Sequence, residues 1–166
     1  MPNVSVDSAS LFYEDDWLGA PWLKPEPMLL IHGAGESSRA WFGWVARIAQ
    51  QFRLLRPDLP GFGRSALNAG FEWSVANLAA VMAHFLDAIE LESAHIVGAK
   101  LGGAIAMQFA ADYPRRTRTL VVCSGPVTPP SWSNLPLHVA RTGGRKPSAN
   151  GSVRTPRRRN LIIGTP

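Results

Sequence analysis

Cysteine, long apolar runs and late acidic residues are all scarce in this 166-residue chain. The single cysteine excludes a disulfide-stabilised scaffold and a cysteine-rich zinc module. No apolar run approaches the length of about 18 residues that a membrane-spanning helix needs. The N-terminal residues contain neither a basic region nor an apolar core, so we expect no secretory signal. These absences predict a cytoplasmic protein that makes no membrane contact.

The last acidic residue is Asp112, so the final third of the chain, residues 113–166, contains no Asp or Glu. Up to residue 140 the formal charge balance is −2, whereas residues 141–166 contribute +7. The basic character therefore belongs to a tail, and we expect no nucleic-acid partner for the core. Glycine, proline and arginine dominate this tail, a composition that is typical of disorder.

The tail is open to three interpretations. It is either a solvated segment, or a contact for an anionic surface through the arginine run 157–159, or the product of out-of-frame translation from about residue 143. Together with the composition shifts, this divides the chain into three parts: an N-terminal edge hairpin or strand region (1–27), a core (28–126) and an irregular tail (127–166).

Within the core, short unbroken apolar runs alternate with longer amphipathic segments. The runs suit parallel strands that are covered on both faces, and the segments suit helices. We expect Ser37 or Ser38 to cap the first helix. The pattern predicts strands near 28–31, 52–56, 95–97 and 119–123 and helices near 38–51, 74–90 and 101–113. Such alternation indicates an α/β fold with a parallel sheet.

The segment from Gly98 to Gly103 joins the third of these strands to the third helix. Its small residues flank Lys100, and a sharp strand-to-helix turn needs such flanks because it strains its central residue and brings backbones close together. In this geometry the central side chain is exposed above the sheet edge, at the start of the helix. Hydrolases use the same turn to present a nucleophilic serine.

Three loops carry a family resemblance. His32-Gly33-Ala34-Gly35 follows the first core strand, the loop 58–65 (DLPGFGRS) follows the second, and the Gly98–Gly103 turn follows the third. In this order the chain resembles the α/β-hydrolase family from about residue 28 to residue 126. The resemblance implies a partial α/β-hydrolase fold, with a mostly parallel sheet flanked by helices and the later strands and cap missing.

The resemblance also implies roles for individual residues. In the family, backbone N–H groups at the positions of Ala34 and Leu101 stabilise an oxyanion, and Lys100 occupies the position of the nucleophile. His32, Gly33, Gly35, Gly98 and Gly102 belong to the turns around the pocket, where His32 has a structural role. Ser124, at the end of the fourth strand, is expected to line the pocket. Members of this class mostly cleave ester or amide bonds of small molecules and require neither a metal nor an organic cofactor.

The side chain at position 100 and the residues that follow it depart from the family pattern. An ammonium has no lone pair for attack, and the only acid and histidine that follow Lys100 are Asp112 and His138. Three hypotheses follow: an impaired hydrolase, an inactive remnant or small-molecule binding module, and Schiff-base chemistry at Lys100. The third needs an uncharged amine, which burial and the positive end of the helix would favour.

Two further expectations concern partners. The histidines show no metal-ligand spacing, and a glycine-rich loop at 33–38 followed by Asp58 only partly matches a dinucleotide-binding pattern, because Ser38 replaces the third glycine. A partial sheet would also leave a strand edge open, which favours self-association. In addition to the small-molecule substrate or ligand that the resemblance implies, we expect association between copies of the chain.

Overall fold

One mixed β-sheet forms the centre of the computed structural model, which describes residues 3–6 and 9–125. The sheet order is β1-β2-β4-β3-β6-β7, and the short β5 pairs with β2 outside this path. The strands are β1 (Asn3–Val6), β2 (Ala9–Asp16), β3 (Glu26–Ile31), β4 (Phe52–Pro57), β5 (Ala66–Leu67), β6 (Ala94–Ala99) and β7 (Thr117–Cys123). Strands β4, β3, β6 and β7 run parallel to one another, as the sequence predicts.

The N-terminal strands β1 and β2 extend the parallel part of the sheet. Strand β1 pairs antiparallel with β2, and β2 pairs antiparallel with β4. Strand β2 is therefore an inner strand, and β1 and β7 are the outermost strands of the main path. The self-association that an open edge favours stays a prediction.

Three α-helices connect the parallel strands of the described part. They are α1 (Phe42–Ile48), α2 (Val75–Ala88) and α3 (Leu101–Asp112), and two short 3-10 turns lie at Ser38–Trp41 and Pro114–Arg116. Ser74 caps α2, because its side chain accepts a hydrogen bond from the Asn77 backbone N–H. Each helix within the described ranges is too short or too polar to cross a bilayer.

The core divides between the two faces of the sheet because successive strand residues point to opposite sides. Leu29 and Ile31 pack with α2 and α3 in a large apolar cluster, which also contains Phe85 and Phe109. Leu30, between them, faces α1 in a smaller cluster with neighbours from other strands. Both faces are covered, which explains why the strand runs do not alternate in hydrophobicity.

The first helix differs from the sequence prediction. It begins as the 3-10 turn Ser38–Trp41, its α-helical part ends at Ile48, and neither Ser37 nor Trp41 provides a side-chain cap. Backbone atoms of Ser38 are instead held by buried side chains: its N–H donates to Asp58 and its carbonyl accepts from Arg56. Tertiary hydrogen bonds therefore fix the start of this segment, and serine capping was the wrong expectation.

The remaining boundaries lie close to those predicted, and α3 ends before Pro114. The expectations for the tail, including its disorder and its boundary at residue 127, lie outside the described residues. His138 and the arginine run 157–159 lie there as well.

Candidate functional site

Lys100 forms the sharp turn between β6 and α3. Its backbone has φ 55° and ψ −120°, a conformation that costs a non-glycine residue of the order of 1–3 kcal/mol. The turn is held at both sides: the Lys100 N–H donates to the Cys123 carbonyl at 3.1 Å, and the Lys100 carbonyl accepts from the Gly103 N–H at 3.0 Å. The tight bend that the small residues predict is therefore present, with Lys100 at its apex.

Gly98 and Gly102 allow three backbones to meet at this turn. A Cβ on Gly102 would overlap the carbonyl oxygens of Ile31 and His32, and a Cβ on Gly98 would overlap the carbonyl oxygen of Gly102. The beginning of α3 therefore lies directly against the end of β3 and the loop that follows it. Only glycine fits at these two positions without a shift of the main chain.

The loop after β3 brings other residues of the predicted site next to Lys100. A Cβ on Gly33 would lie 2.9 Å from Cδ and 3.0 Å from Cβ of Lys100, so the Gly33 backbone lies directly against the Lys100 side chain. Gly35 has φ 72°, which lets the loop reverse. Ala34 lies between Gly33 and Gly35 in this loop. The structure therefore places the Ala34 loop beside the Lys100 turn, on the same side of the molecule.

Ser124 lies at the same edge of the sheet. Ala99 of β6 is paired with Cys123 of β7, so the residues that follow them, Lys100 and Ser124, are neighbours. Ser124 is exposed and has φ 56°. The predicted residues of the pocket thus come together where the parallel strands end, the usual position of ligand sites in such sheets.

Glu36 is the residue that the sequence analysis missed. Its Oε1 forms an ion pair with Nζ of Lys100, and its Oε2 accepts a hydrogen bond of 2.9 Å from the Gly33 N–H. The hydrogen bonds from Lys100 and Gly33 lower the pKa of Glu36 below its ordinary value. The side chain of Lys100 is 65% exposed, so the burial that would favour an uncharged amine is not present.

His32 is fully buried and has a structural role. Its Nε2 accepts a hydrogen bond of 2.8 Å from the Leu59 N–H, and its Nδ1 lies 2.7 Å from the Gly33 carbonyl. A backbone N–H can donate only to an unprotonated nitrogen, so the ring is neutral with its proton on Nδ1. Burial lowers the pKa of His32. Both ring nitrogens are therefore engaged with the backbone and unavailable to a ligand.

This burial predicts a pH-dependent stability. Because the folded pKa of His32 lies below the ordinary value of 6.5, the unfolded chain binds a proton that the folded chain does not. Above about pH 6.5, His32 should not change the free energy of unfolding. Below that pH, the free energy of unfolding should fall as the pH falls. Urea unfolding between about pH 8 and about pH 5 measures the change. His32→Asn should flatten the slope, because it removes the buried group that titrates. An equally steep slope in His32→Asn contradicts the assignment.

The loop after β4 contacts the loop after β3, because its Leu59 N–H donates to the His32 ring. Asp58 is fully buried, and its two carboxylate oxygens accept from the backbone N–H groups of Ser38 and Arg64. The Ser65 hydroxyl donates to the Asp58 carbonyl at 2.7 Å and accepts from the Phe12 N–H. Asp58 is thus occupied by the protein's own backbone and cannot bind the ribose hydroxyl that a dinucleotide site requires.

In the ranges that the structure describes, no group of three or more His, Cys, Asp or Glu side chains is placed to hold a metal ion. The ring of His95 is hydrogen-bonded to Thr119 and Glu26. Burial raises the pKa of Cys123, which disfavours the reactive thiolate.

A surface groove of about 610 Å³ lies beside α1, and its lining contains no residue of the Lys100 turn. Its lining residues are Glu14, Asp16, Arg39, Phe42, Val45 and Arg56. The side chain of Arg56 is almost fully buried and forms ion pairs with Glu14 and Asp16. Because these charges pair with one another, the groove is explained by the packing of β2 on β4, and the turn remains the candidate site.

Comparison with known proteins supports the hydrolase resemblance. A family model described as alpha/beta hydrolase fold matches residues 26–149. The chain is 39% identical over 100 residues to a pimeloyl-[acyl-carrier protein] methyl ester esterase of Aeromonas hydrophila, covering 60% of this chain and 38% of the relative. It is 35% identical over 99 residues to a 2-hydroxy-6-oxo-2,4-heptadienoate hydrolase of Pseudomonas putida, covering 58% and 36%.

The solved structures agree. A meta-cleavage product hydrolase from Pseudomonas fluorescens superposes with a TM-score of 0.68 at 26% identity, covering 75% of this chain and 45% of that one. The chain spans little more than a third of the length of these two curated relatives. The family match extends over most of the chain and includes every parallel strand described above. The chain therefore belongs to the α/β-hydrolase fold family.

Proposed function

We propose that this chain binds small carbonyl compounds at the Lys100 turn and does not hydrolyse them. The observation that carries the proposal is the apex itself: the strained position that presents a nucleophile in hydrolases holds an ammonium group, already paired with Glu36. The loop after β3 and the first turn of α3 lie against this position, which supports the proposal of backbone donors for a carbonyl oxygen beside it.

The proposed donors are the backbone N–H groups of Ala34 and Leu101. The first N–H groups of a helix have no partner within the helix, and Leu101 is the first residue of α3. In a hydrolase such donors stabilise the negative charge that develops on the carbonyl oxygen during attack. Without an attacking group the same donors can only bind the carbonyl of a ligand, and this distinction separates binding from catalysis.

Acyl transfer requires a hydroxyl or thiol and a base beside it. At the apex the side chain is an amine, and the nearby His32 has both ring nitrogens bonded to backbone. Relatives named as an esterase and a hydrolase indicate that ester and carbonyl compounds are the ligand class to test. We therefore propose that this chain still binds such compounds but does not cleave them.

Schiff-base formation at Lys100 is the second candidate, and one observation favours it. The amine is exposed, and the Glu36 carboxylate on Nζ is placed to accept the proton that the amine must lose. The nitrogen would then attack a ligand aldehyde or ketone, and water would leave as the carbon–nitrogen double bond forms. The ion pair itself opposes this reaction because it holds the ammonium, so we place binding first.

An ester assay with a matched binding measurement tests the proposal. We expect the parent chain and Lys100→Ala to release p-nitrophenol from p-nitrophenyl acetate no faster than buffer, because neither presents a nucleophile with a base. Phenylacetamide, a neutral carbonyl compound, should bind the parent chain in NMR titrations. Lys100→Ser serves as the variant that restores a hydroxyl at the apex. Turnover by the parent that Lys100→Ala abolishes, or no binding of phenylacetamide, contradicts the proposal.

A further inference from the structure

We propose that the Lys100 turn is a binding site for small carboxylates, and that Glu36 occupies this site in the ligand-free chain. The inference rests on the binding function proposed above and narrows it to one class of ligand. It begins from the fact that a carboxylate already lies in the site, supplied by the protein itself.

The contacts of Glu36 define what the site recognises. One carboxylate oxygen lies on the ammonium of Lys100, and the other accepts from the Gly33 N–H at 2.9 Å. A cation and a backbone donor, each facing one oxygen, match the two acceptor atoms of a single carboxylate. A neutral carbonyl compound brings no negative charge to the ammonium, so a carboxylate satisfies the site better.

Glu36 reaches the site because its own loop folds back. The Glu36 N–H donates to the Gly33 carbonyl at 3.2 Å, and Gly35 between them has φ 72°. The acid and the donor that it occupies thus belong to one tight turn of four residues. This turn holds the carboxylate close to Lys100 without a rigid buried network, which lets an outside carboxylate compete with it.

The charges around the site favour an anionic ligand. Helix α3 has no acidic residue in its first turn, and Lys100 at its N-cap makes no side-chain capping bond to it. The positive end of the helix and the ammonium therefore lie together, and the carboxylate that balances them comes from Glu36. When an external carboxylate takes this place, the Glu36 side chain is free to turn toward solvent, to which it is already partly exposed.

Removing the internal carboxylate should therefore tighten the binding of an external one. In Glu36→Gln the side chain keeps its size and loses its charge, so Lys100 is free to pair with a ligand. We expect phenylacetate to bind this variant about fivefold more tightly than the parent chain, the size expected for displacing an exposed ion pair. Binding of phenylacetamide, which has the same shape and no charge, should stay within about twofold.

The experiment uses NMR titration of the full chain with both compounds. Glu90→Gln is the matched control, because it removes the same charge at an exposed position beyond α2. Lys100→Met should abolish the preference for phenylacetate over phenylacetamide. Glu36→Asp is a second variant in case Glu36→Gln folds poorly: it keeps the charge but withdraws the carboxylate from Lys100, so it should also tighten the binding of phenylacetate.

Two results would overturn the inference: no gain of Glu36→Gln or Glu36→Asp over Glu90→Gln, or an unchanged preference for phenylacetate in Lys100→Met. If phenylacetamide binds and these comparisons fail, the carboxylate assignment is wrong and the binding function survives. If neither compound binds any of the chains, both proposals are wrong.

Discussion

Gly102→Ala should lower the free energy of unfolding by about 3 kcal/mol or more, although it adds a single methyl group. The new Cβ would overlap the carbonyl oxygens of Ile31 and His32, which are backbone atoms and cannot rotate away. Either α3 moves away from β3 or the loop after β3 shifts. Natural domains have a total stability of roughly 5–15 kcal/mol, so a loss of this size brings the protein close to unfolding.

Urea unfolding followed by circular dichroism measures the loss, and Gly43→Ala is the matched control. Gly43 lies in α1 with open space around its Cβ position, so the same change there should stabilise the chain by up to about 1 kcal/mol. Gly98→Ala should resemble Gly102→Ala, because its Cβ would overlap the Gly102 carbonyl and lie 2.8 Å from the Cβ of Ala106. A Gly102→Ala chain as stable as Gly43→Ala would show that the turn is looser than the structure has it.

The glycines around Lys100 illustrate which structural features can be predicted from local sequence. Small residues on both sides of Lys100, between an apolar run and an apolar helix, predict a tight turn there, and Lys100 has φ 55° and ψ −120° in the structure. Local sequence carries this information because both the bend and the close approach of backbones require small side chains. The parallel strands were predictable for the same reason: runs without alternation need cover on both faces.

The contacts of Glu36 could not be predicted in this way. Sixty-four residues separate Glu36 from Lys100, and no local pattern relates an acid in one loop to a lysine in another. The first helix is a similar case, since the bonds that fix Ser38 come from Asp58 and Arg56, 20 and 18 residues away. Charge pairing and tertiary capping depend on which loops the fold brings together. The available signal was compositional: an acid in the glycine-rich loop that faces the Lys100 turn.

Asp58 makes several such contacts, and its replacement gives the second large effect. In Asp58→Ala the backbone N–H groups of Ser38 and Arg64 lose their acceptors at once, and the carboxylate oxygen 3.7 Å from Nε of Arg64 is also lost. A buried donor without a partner costs about 1–3 kcal/mol. Two donors lose their acceptor together, so we expect the free energy of unfolding to fall by about 2–5 kcal/mol.

Asp15→Ala separates burial from charge. Asp15 forms an ion pair with Arg53 on the exposed side of β2, where both side chains are about a third exposed, so its loss should cost at most about 1 kcal/mol. Asp58→Asn should be intermediate, because an amide retains one acceptor oxygen and replaces the other with a donor that faces an N–H group. Urea midpoints of the three variants give the order directly. Equal losses in Asp58→Ala and Asp15→Ala would mean that the buried carboxylate does not stabilise the loop after β4. Packing alone would then hold this loop in place.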